Sequence, residues 1–358
     1  LERVFTLRDS WSFHDPLPDA LVLTYQALVA TGKSIEQRLL GEEASSASHD
    51  GSDLVWMLHA QRFGALILDE VHMALADQFQ KALRLHASFV YGLTGSLIRE
   101  DGREHMLPQL VGPVLSTYHS ARPHRYRVIT VDVAESTAEH LRRAKSRSRV
   151  ESAIRALNPP KCAALFAILR SHAHSRVIVF CDNQRAACIL SQCVPGALLL
   201  HGGISDAQRE SIKTQFNRTA HGAVLITTEV CNASCDFEDG CVIVQHHVHD
   251  GSRQVEVQRS GRGSRGDGTT GSCVVHLRNR GTEEMDFVDR RVEYMRTAFA
   301  GHFTCEHSDW SLAPTEADLE PARRLCTIRL GQAATGGGGR PRQNTEYAGL
   351  KKRLKPRG

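Results

Sequence analysis

Two acidic residues closing an apolar run, and two arginines three apart near the other end of the chain, are the side chains best suited to chemistry on a phosphate ester. The acidic pair lies in "GALILDEVHMALA", residues 64–76, where Asp69 and Glu70 follow Leu66-Ile67-Leu68. In a doubly wound sheet, ligands sit beyond the carboxyl ends of the strands. There the Asp69 carboxylate can meet a magnesium ion through water while Glu70 reaches a water lined up on a γ-phosphate. Taken alone, such a pair is more often a helix N-terminal feature. The arginines lie in "QVEVQRSGRGSR", residues 254–265. If that segment is helical, Arg262 and Arg265 share one face, and two guanidinium forks so aimed could grip a triphosphate across a cleft.

These groups need elements to hold them, and the apolar pattern supplies candidates. Over 54–113 it reads helix, strand, helix, strand: "DLVWMLHAQRF" is amphipathic, "ALIL" is a continuous apolar run, "ADQFQKALRLH" is helical and "FVYGLTGS" is a strand meeting a turn. After "NPPK", where Pro159 and Pro160 can open a helix, the alternation resumes. Helical segments "KCAALFAILRSH", "NQRAACILSQC" and "SDAQRESIKTQF" alternate with strands "RVIVF", "ALLLH" and "AVLIT", and strands "CVIVQ" and "SCVVHL" follow. This pattern predicts an α/β protein with parallel sheets covered on both faces. The segment 116–157 is basic and weakly periodic and reads as a connector. Residues 301–358 hold weak helical signal, a flexible "TGGGG" stretch and a basic tail.

Composition narrows the class. The 358 residues leave room for about two domains, and an apolar share of 41% with 23% charged residues belongs to a globular protein. No stretch approaches the roughly 18 uninterrupted apolar residues of a membrane span. A net charge of +4 does not by itself argue for nucleic acid. The last nineteen residues carry Lys and Arg throughout and one acid, Glu346. Such a run is usually a solvated tail, with nuclear import or phosphate contact as the alternative. Ten cysteines without a CxxC pair suit reduced, buried thiols. Neither Cys231-x3-Cys235 nor the group His302, Cys305, His307 has a second half at familiar zinc spacing. His246, His247 and His249 read as ordinary strand-end residues rather than chemistry.

Four further segments complete the pattern: "GLTGSLIRED" at 92–101, "VIVFCDN" at 177–183, "LLLHGGISDAQRESIKTQF" at 198–216 and "LITTEVCNASCDF" at 225–237. In this order and spacing the chain, from about residue 20 to 300, resembles the motor core of superfamily 2 DNA helicases, and within them the XPB type, the translocase subunit of transcription and repair factor IIH. "LDEVH", "LTGSLIRED", Gly112-Pro113, "NPPK" and "GSRQVEVQRSGRGSR" carry that narrower likeness.

The resemblance implies two RecA-like doubly wound parallel-sheet lobes, the first incomplete. Residues 1–115 would be the later part of lobe one, 116–157 a connector, 158–300 lobe two and 301–358 an extension. It implies an ATP-dependent 3′-to-5′ DNA helicase or translocase of repair and transcription initiation, using ATP and Mg2+. Its partners would be DNA and other subunits of a factor IIH-like complex in the nucleus, with no membrane. Asp69 and Glu70 would bind magnesium and activate water, and His72 would couple them to the turn of Thr94, Gly95 and Ser96. Gln258, Arg262 and Arg265 would reach the phosphates, with Asp236 near the nucleotide. Arg99, Glu100 and Asp101 match the family's strand-separation motif. Thr24, Tyr25, Asp182, Asn183, His201, Gly202, Thr227 and Thr228 would face the DNA backbone.

Three departures stand out: Thr-Gly-Ser replaces the family's Thr-Ala-Thr turn, Cys231 stands where a glycine is expected, and Glu229 replaces a basic residue. The phosphate cradle is also missing. "ATGKS", residues 30–34, ends like one, but Ala27 occupies the position of its first glycine and Asp69 follows too soon. The cradle is therefore expected upstream of Leu1, or lost. A degenerate, non-hydrolysing scaffold in a repair or transcription complex is the competing reading, and an RNA-directed helicase a third.

Overall fold

The computed structural model describes residues 4–6, 19–25, 58, 62–117 (apart from 78, 81, 82, 84 and 98), 122–144, 148–219, 222–234, 237, 241–263 and 271–334. Among the described residues every strand pairing is parallel. β1 (Val4–Thr6) pairs with β2 (Ala20–Val22), and β3 (Phe63–Leu68) with β4 (Ala87–Gly92). The remaining strands, β5 (His124–Val131), β6 (Val177–Cys181), β7 (Leu198–Leu200), β8 (Val224–Thr227), β9 (Val242–His247), β10 (Ser272–Asn279) and β11 (Phe303–Asp309), form one seven-stranded sheet. Its order is β11-β5-β10-β9-β6-β8-β7.

The central strands β6, β8, β9 and β10 are buried on both faces, which explains their near-continuous apolar runs. Along β6 every residue is buried: Val177, Val179 and Cys181 enter one core, Ile178 and Phe180 the other. The first core is closed by helices Ser148–Ala156, Pro159–Ser171 and Gln184–Cys193, and by Leu325 of helix Glu316–Ala334. Phe216 of helix Asp206–Arg218 and Val288, Val292 and Met295 of helix Glu284–Ala298 close the second. Sequence signals set the helix starts. Pro159 and Pro160 open one, Asn183 caps the next by accepting the Ala186 N–H, and Ser205 and Gln208 form a reciprocal capping box.

Two segments differ from expectation. Residues 124–131, inside the expected connector, are a strand of the large sheet, in register with β10 from His124 to Val131. Alternating exposed arginines (Arg125, Arg127) and buried residues (Tyr126, Val128) hid that strand in a basic run. Residues 303–309, in the expected extension, form the edge strand β11.

The β3–β4 pair is smaller. Leu66, Leu68 and Val90 pack with Val71, Leu75 and Leu107 on one face. Ile67, Phe89, Tyr91 and Leu93 are exposed on or beside the other. The short 3-10 helix Val71–Leu75 follows β3 at once. It presses so close that a Cβ at Gly92 would lie 2.8 Å from the Val71 side chain. No described helix is long and apolar enough to cross a membrane.

Candidate nucleotide site at the lobe interface

The acidic pair sits at the carboxyl end of β3. Asp69 is exposed, and its Oδ1 accepts the Glu70 N–H at 3.0 Å. Glu70 has φ 48° and ψ 52°, the described non-glycine residue with positive φ, a conformation that costs energy and recurs at functional sites. Two main-chain bonds hold the loop: Leu93 N–H to Leu68 O at 2.9 Å and Val71 N–H to Leu93 O at 2.9 Å. Tyr25 donates its hydroxyl to the Asp69 carbonyl at 3.0 Å, with its ring 5.4 Å from that of Phe79. Burial, and then the charges of Asp69 and Glu70, push the Tyr25 phenol up to about 12.

The hydrogens around Thr94 can be assigned by counting donors. His72 Nδ1 lies 2.8 Å from Thr94 Oγ1, and the side-chain amide Nε2 of Gln254 meets His72 Nε2. An amide nitrogen only donates, so His72 accepts at Nε2 and carries its proton on Nδ1. Burial, followed by the nearby Arg99 charge, lowers the His72 pKa to about 4, so the ring is neutral around pH 7. Thr94 Oγ1 thus accepts from His72 and from the Ser96 N–H at 3.1 Å. Its one proton is shared between Ser96 O at 2.7 Å and Glu70 Oε2 at 3.3 Å. Burial raises the Glu70 pKa above its ordinary value; the Thr94 hydroxyl and, more weakly, the Arg262 charge pull it back.

Arg262 belongs to helix Arg253–Gly263, whose first-turn residue Gln254 meets His72. Arg262 Nη2 donates to Asn232 O at 2.6 Å. Arg259, fully buried one turn earlier, donates to Asn232 Oδ1 at 2.9 Å and Gln245 Oε1 at 3.0 Å, pairs with Asp182 and lies 4.5 Å over the Phe180 ring. Glu256 is buried too and accepts from Tyr126 at 2.8 Å and Gln245 at 2.5 Å. Burial pushes its carboxyl up, but His276, Arg291 and Tyr126 together hold it at about 2.

The interface therefore unites Asp69, Glu70, His72, Thr94 and Ser96 with the helix that carries Arg262, through the contact of Gln254 with His72. Gln258 is half-buried on the same helix. Gln254, one turn earlier on the same face, is the amide that meets His72, a partner that sequence reasoning missed. Arg265 and Asp236 lie outside the described residues, as does "ATGKS". Several residues expected on the DNA face have side chains that are buried or bonded within the protein. Asp182 is buried against Arg259, whose charge holds its carboxyl well below the usual range despite burial. Asn183 is occupied as a helix cap and donates to Arg149 O at 2.9 Å. Thr227 is buried with its hydroxyl on Leu200 O at 3.0 Å, and Thr228 is buried beside it. Tyr25 serves the acidic loop. Thr24 and Gly202 are exposed and His201 is half-buried. The departures are accommodated: Cys231 is fully buried, and a Cβ at Gly95 would meet open space. His246 and His247 are buried, bonded to Ala156 O at 2.6 Å and Glu284 at 2.6 Å. Among the described residues no group of three or more His, Cys, Asp or Glu could hold a metal ion by itself.

Residues 160–267 match the helicase conserved C-terminal domain. The chain is 30% identical over 220 residues to the DNA repair helicase/translocase XPB-R of Trypanosoma brucei brucei, covering 56% of this chain and 28% of that one. With the general transcription and DNA repair factor IIH helicase/translocase subunit XPB of Encephalitozoon cuniculi it shares 26% identity over 291 residues, 77% of this chain and 41% of the other. The chain thus spans less than half the length of these relatives. In fold it is similar to Saccharomyces cerevisiae Dbp5 bound to RNA and ADP BeF3, with TM-score 0.52, 14% identity and coverage of 92% and 73%. Mss116p bound to single-stranded RNA and AMP-PNP gives TM-score 0.53, 15% identity and coverage of 87% and 56%. At such identities the structural likeness speaks for the RecA-like fold alone.

Proposed function

This chain is a relative of the superfamily 2 helicases of the XPB type, and from that premise we propose that it forms the hydrolytic interface of an ATP-dependent 3′-to-5′ DNA helicase or translocase. The observation that carries the reading is the contact of Gln254, on the helix that bears Arg262, with His72 of the acidic loop, which brings a helix of one sheet against the acids of the other. Glu70 takes the proton of the attacking water, a task suited to a carboxylate whose pKa burial has raised. Thr94 holds that carboxylate, and His72 holds Thr94. Arg262 stabilises charge developing on the transferred phosphoryl group.

Asp69 suits magnesium: it is an exposed, hard oxygen donor with one oxygen anchored by a main-chain N–H. When bound, the ion neutralises phosphate charge. Closure of the lobes would then move DNA by its backbone, without sequence readout. The name of the Encephalitozoon cuniculi relative supports a factor IIH-like complex and hence a nuclear setting. Cys231, where the family has a glycine, and the looser turn at Gly95 support the scaffold as the second reading.

The test is ATP hydrolysis by the complete reading frame with and without DNA. Hydrolysis should rise with DNA, and Arg262→Ala should cut it by about 10³ to 10⁵. Near-wild-type turnover in that variant removes the assignment of Arg262. A folded protein that never hydrolyses ATP is the scaffold, and stronger stimulation by RNA marks an RNA-directed enzyme.

A further inference from the structure

The lobes also touch where hydrolysis does not require it. Glu100, on the β4 side, accepts the main-chain N–H of Arg253 on Oε1 at 2.8 Å. Arg253 is the first residue of helix Arg253–Gly263, and first-turn N–H groups have no partner within a helix. The carboxylate therefore caps that helix from the opposite lobe, at the end where the dipole favours negative charge. The Arg253 side chain reaches back: Nε lies 3.5 Å from the same oxygen, and Nη2 donates to Arg99 O at 3.3 Å.

Neighbours carry the tie inward. Arg99 forks onto Asp101 at 2.8 and 2.6 Å and donates from Nη1 to the His72 carbonyl. The Arg99 hydrogen bond, ahead of other causes, lowers the Asp101 pKa to about 2, so the fork is ionised at neutral pH. Gln254, next to Arg253, reaches the His72 ring. Residues 99–101 thus bond to one another and to the neighbouring lobe, with Glu100 and Asp101 still exposed. Arg262 lies nine residues beyond Arg253, about 13 Å along a stiff helix, so whatever fixes the start of the helix fixes the place of the guanidinium.

We propose that Glu100 and Arg253 form an interlobe latch that sets the register of helix Arg253–Gly263 against the Asp69–His72 loop, making Glu100 a positioning residue for Arg262. Only the task assigned to Arg262 rests on the hydrolytic reading; the latch itself does not. Glu100 and Arg253 side chains are 44% and 33% exposed, so their charge pair is weak and screened by salt. The main-chain cap adds direction to it. A contact of this kind holds the lobes in register and still releases.

Hydrogen exchange on the purified chain tests the latch. Over residues 252–257, Glu100→Ala should speed exchange about fivefold to tenfold. Glu100→Gln, which keeps an acceptor oxygen, should do so less. Unchanged exchange in Glu100→Ala overturns the latch, whether or not the protein hydrolyses ATP. On the complete reading frame, Glu100→Ala should lower kcat with KM for ATP within about twofold, and Glu100→Gln should recover part of the loss. A raised KM with unchanged kcat, or no change in either, overturns the positioning role. Absence of hydrolysis in the wild type counts against the hydrolytic reading and leaves the exchange result to decide the latch.

Discussion

At the scale of single residues, Thr94 decides how the acidic loop behaves. Its oxygen accepts twice and donates once, so the Glu70 carboxylate depends on a hydroxyl that His72 and Ser96 already orient. Thr94→Val should remove a hydrogen bond that lowers the Glu70 pKa and leave burial unopposed at that point. The pKa rises further, and because a base works only when deprotonated, the acid limb of the hydrolysis pH profile should move to higher pH. A profile that stays in place, or moves down, contradicts the role given to Glu70. Asp69, Glu70, His72, Thr94 and Ser96 were legible because contiguous strings hold them at strand ends. Gln254 was not. Choosing between it and Gln258 depends on how far helix Arg253–Gly263 slides along the interface, which no local pattern encodes.

Among the elements, the helices of the large sheet are fixed by buried charge as much as by apolar packing. Lys161 lies one turn into helix Pro159–Ser171 and places its ammonium 2.7 and 2.8 Å from the two oxygens of Glu284. Both residues are buried, and His247 shares the carboxylate. Burial pushes the Glu284 carboxyl up, while Lys161 and His247 hold it down at about 2. Removing one partner strands a charge in the interior. Lys161→Met should cost about 3 to 5 kcal/mol in a urea unfolding titration, and a loss under about 1 kcal/mol, typical of exposed pairs, would mean the pair is solvated. Ser205→Ala should cost about 1 kcal/mol through its capping box. Continuous apolar runs made β6, β8, β9 and β10 readable. β5 was not, because one face of that strand carries arginines and its place between β10 and β11 is a long-range pairing.

For the whole molecule, acid should undo the fold in two stages. Burial, and then the Lys161 charge, lower the His246 pKa to about 3, and His72 lies near 4. His124 is lowered as well, mainly by burial. An unfolded histidine takes up its proton near pH 6.5. Between that pH and about 3, the unfolded chain binds protons that the folded chain refuses, so stability present above 6.5 is lost as the pH falls. Glu256 and Glu284, held at about 2, add a second loss as the pH drops below the ordinary carboxylate value of about 4.5. Urea midpoints taken across this range should fall in both windows, and His246→Gln should flatten the first. A wild-type midpoint constant from 6.5 to 4.5 contradicts the histidine account.

What the sequence determined by itself was local and periodic: an α/β chain of parallel strands, the ends of its strongest strands, and the strings carrying Asp69, Glu70 and Arg262. Those follow from side-chain spacing along one segment, which backbone geometry converts directly into a face or a strand end. Tertiary structure alone decided that β5 and β11 join the large sheet, that Asp182 neutralises Arg259 in the interior, and that Glu100 caps a helix of the other lobe. Each of these pairs groups far apart in the chain. Their energies arise from the burial and proximity that only the folded arrangement creates.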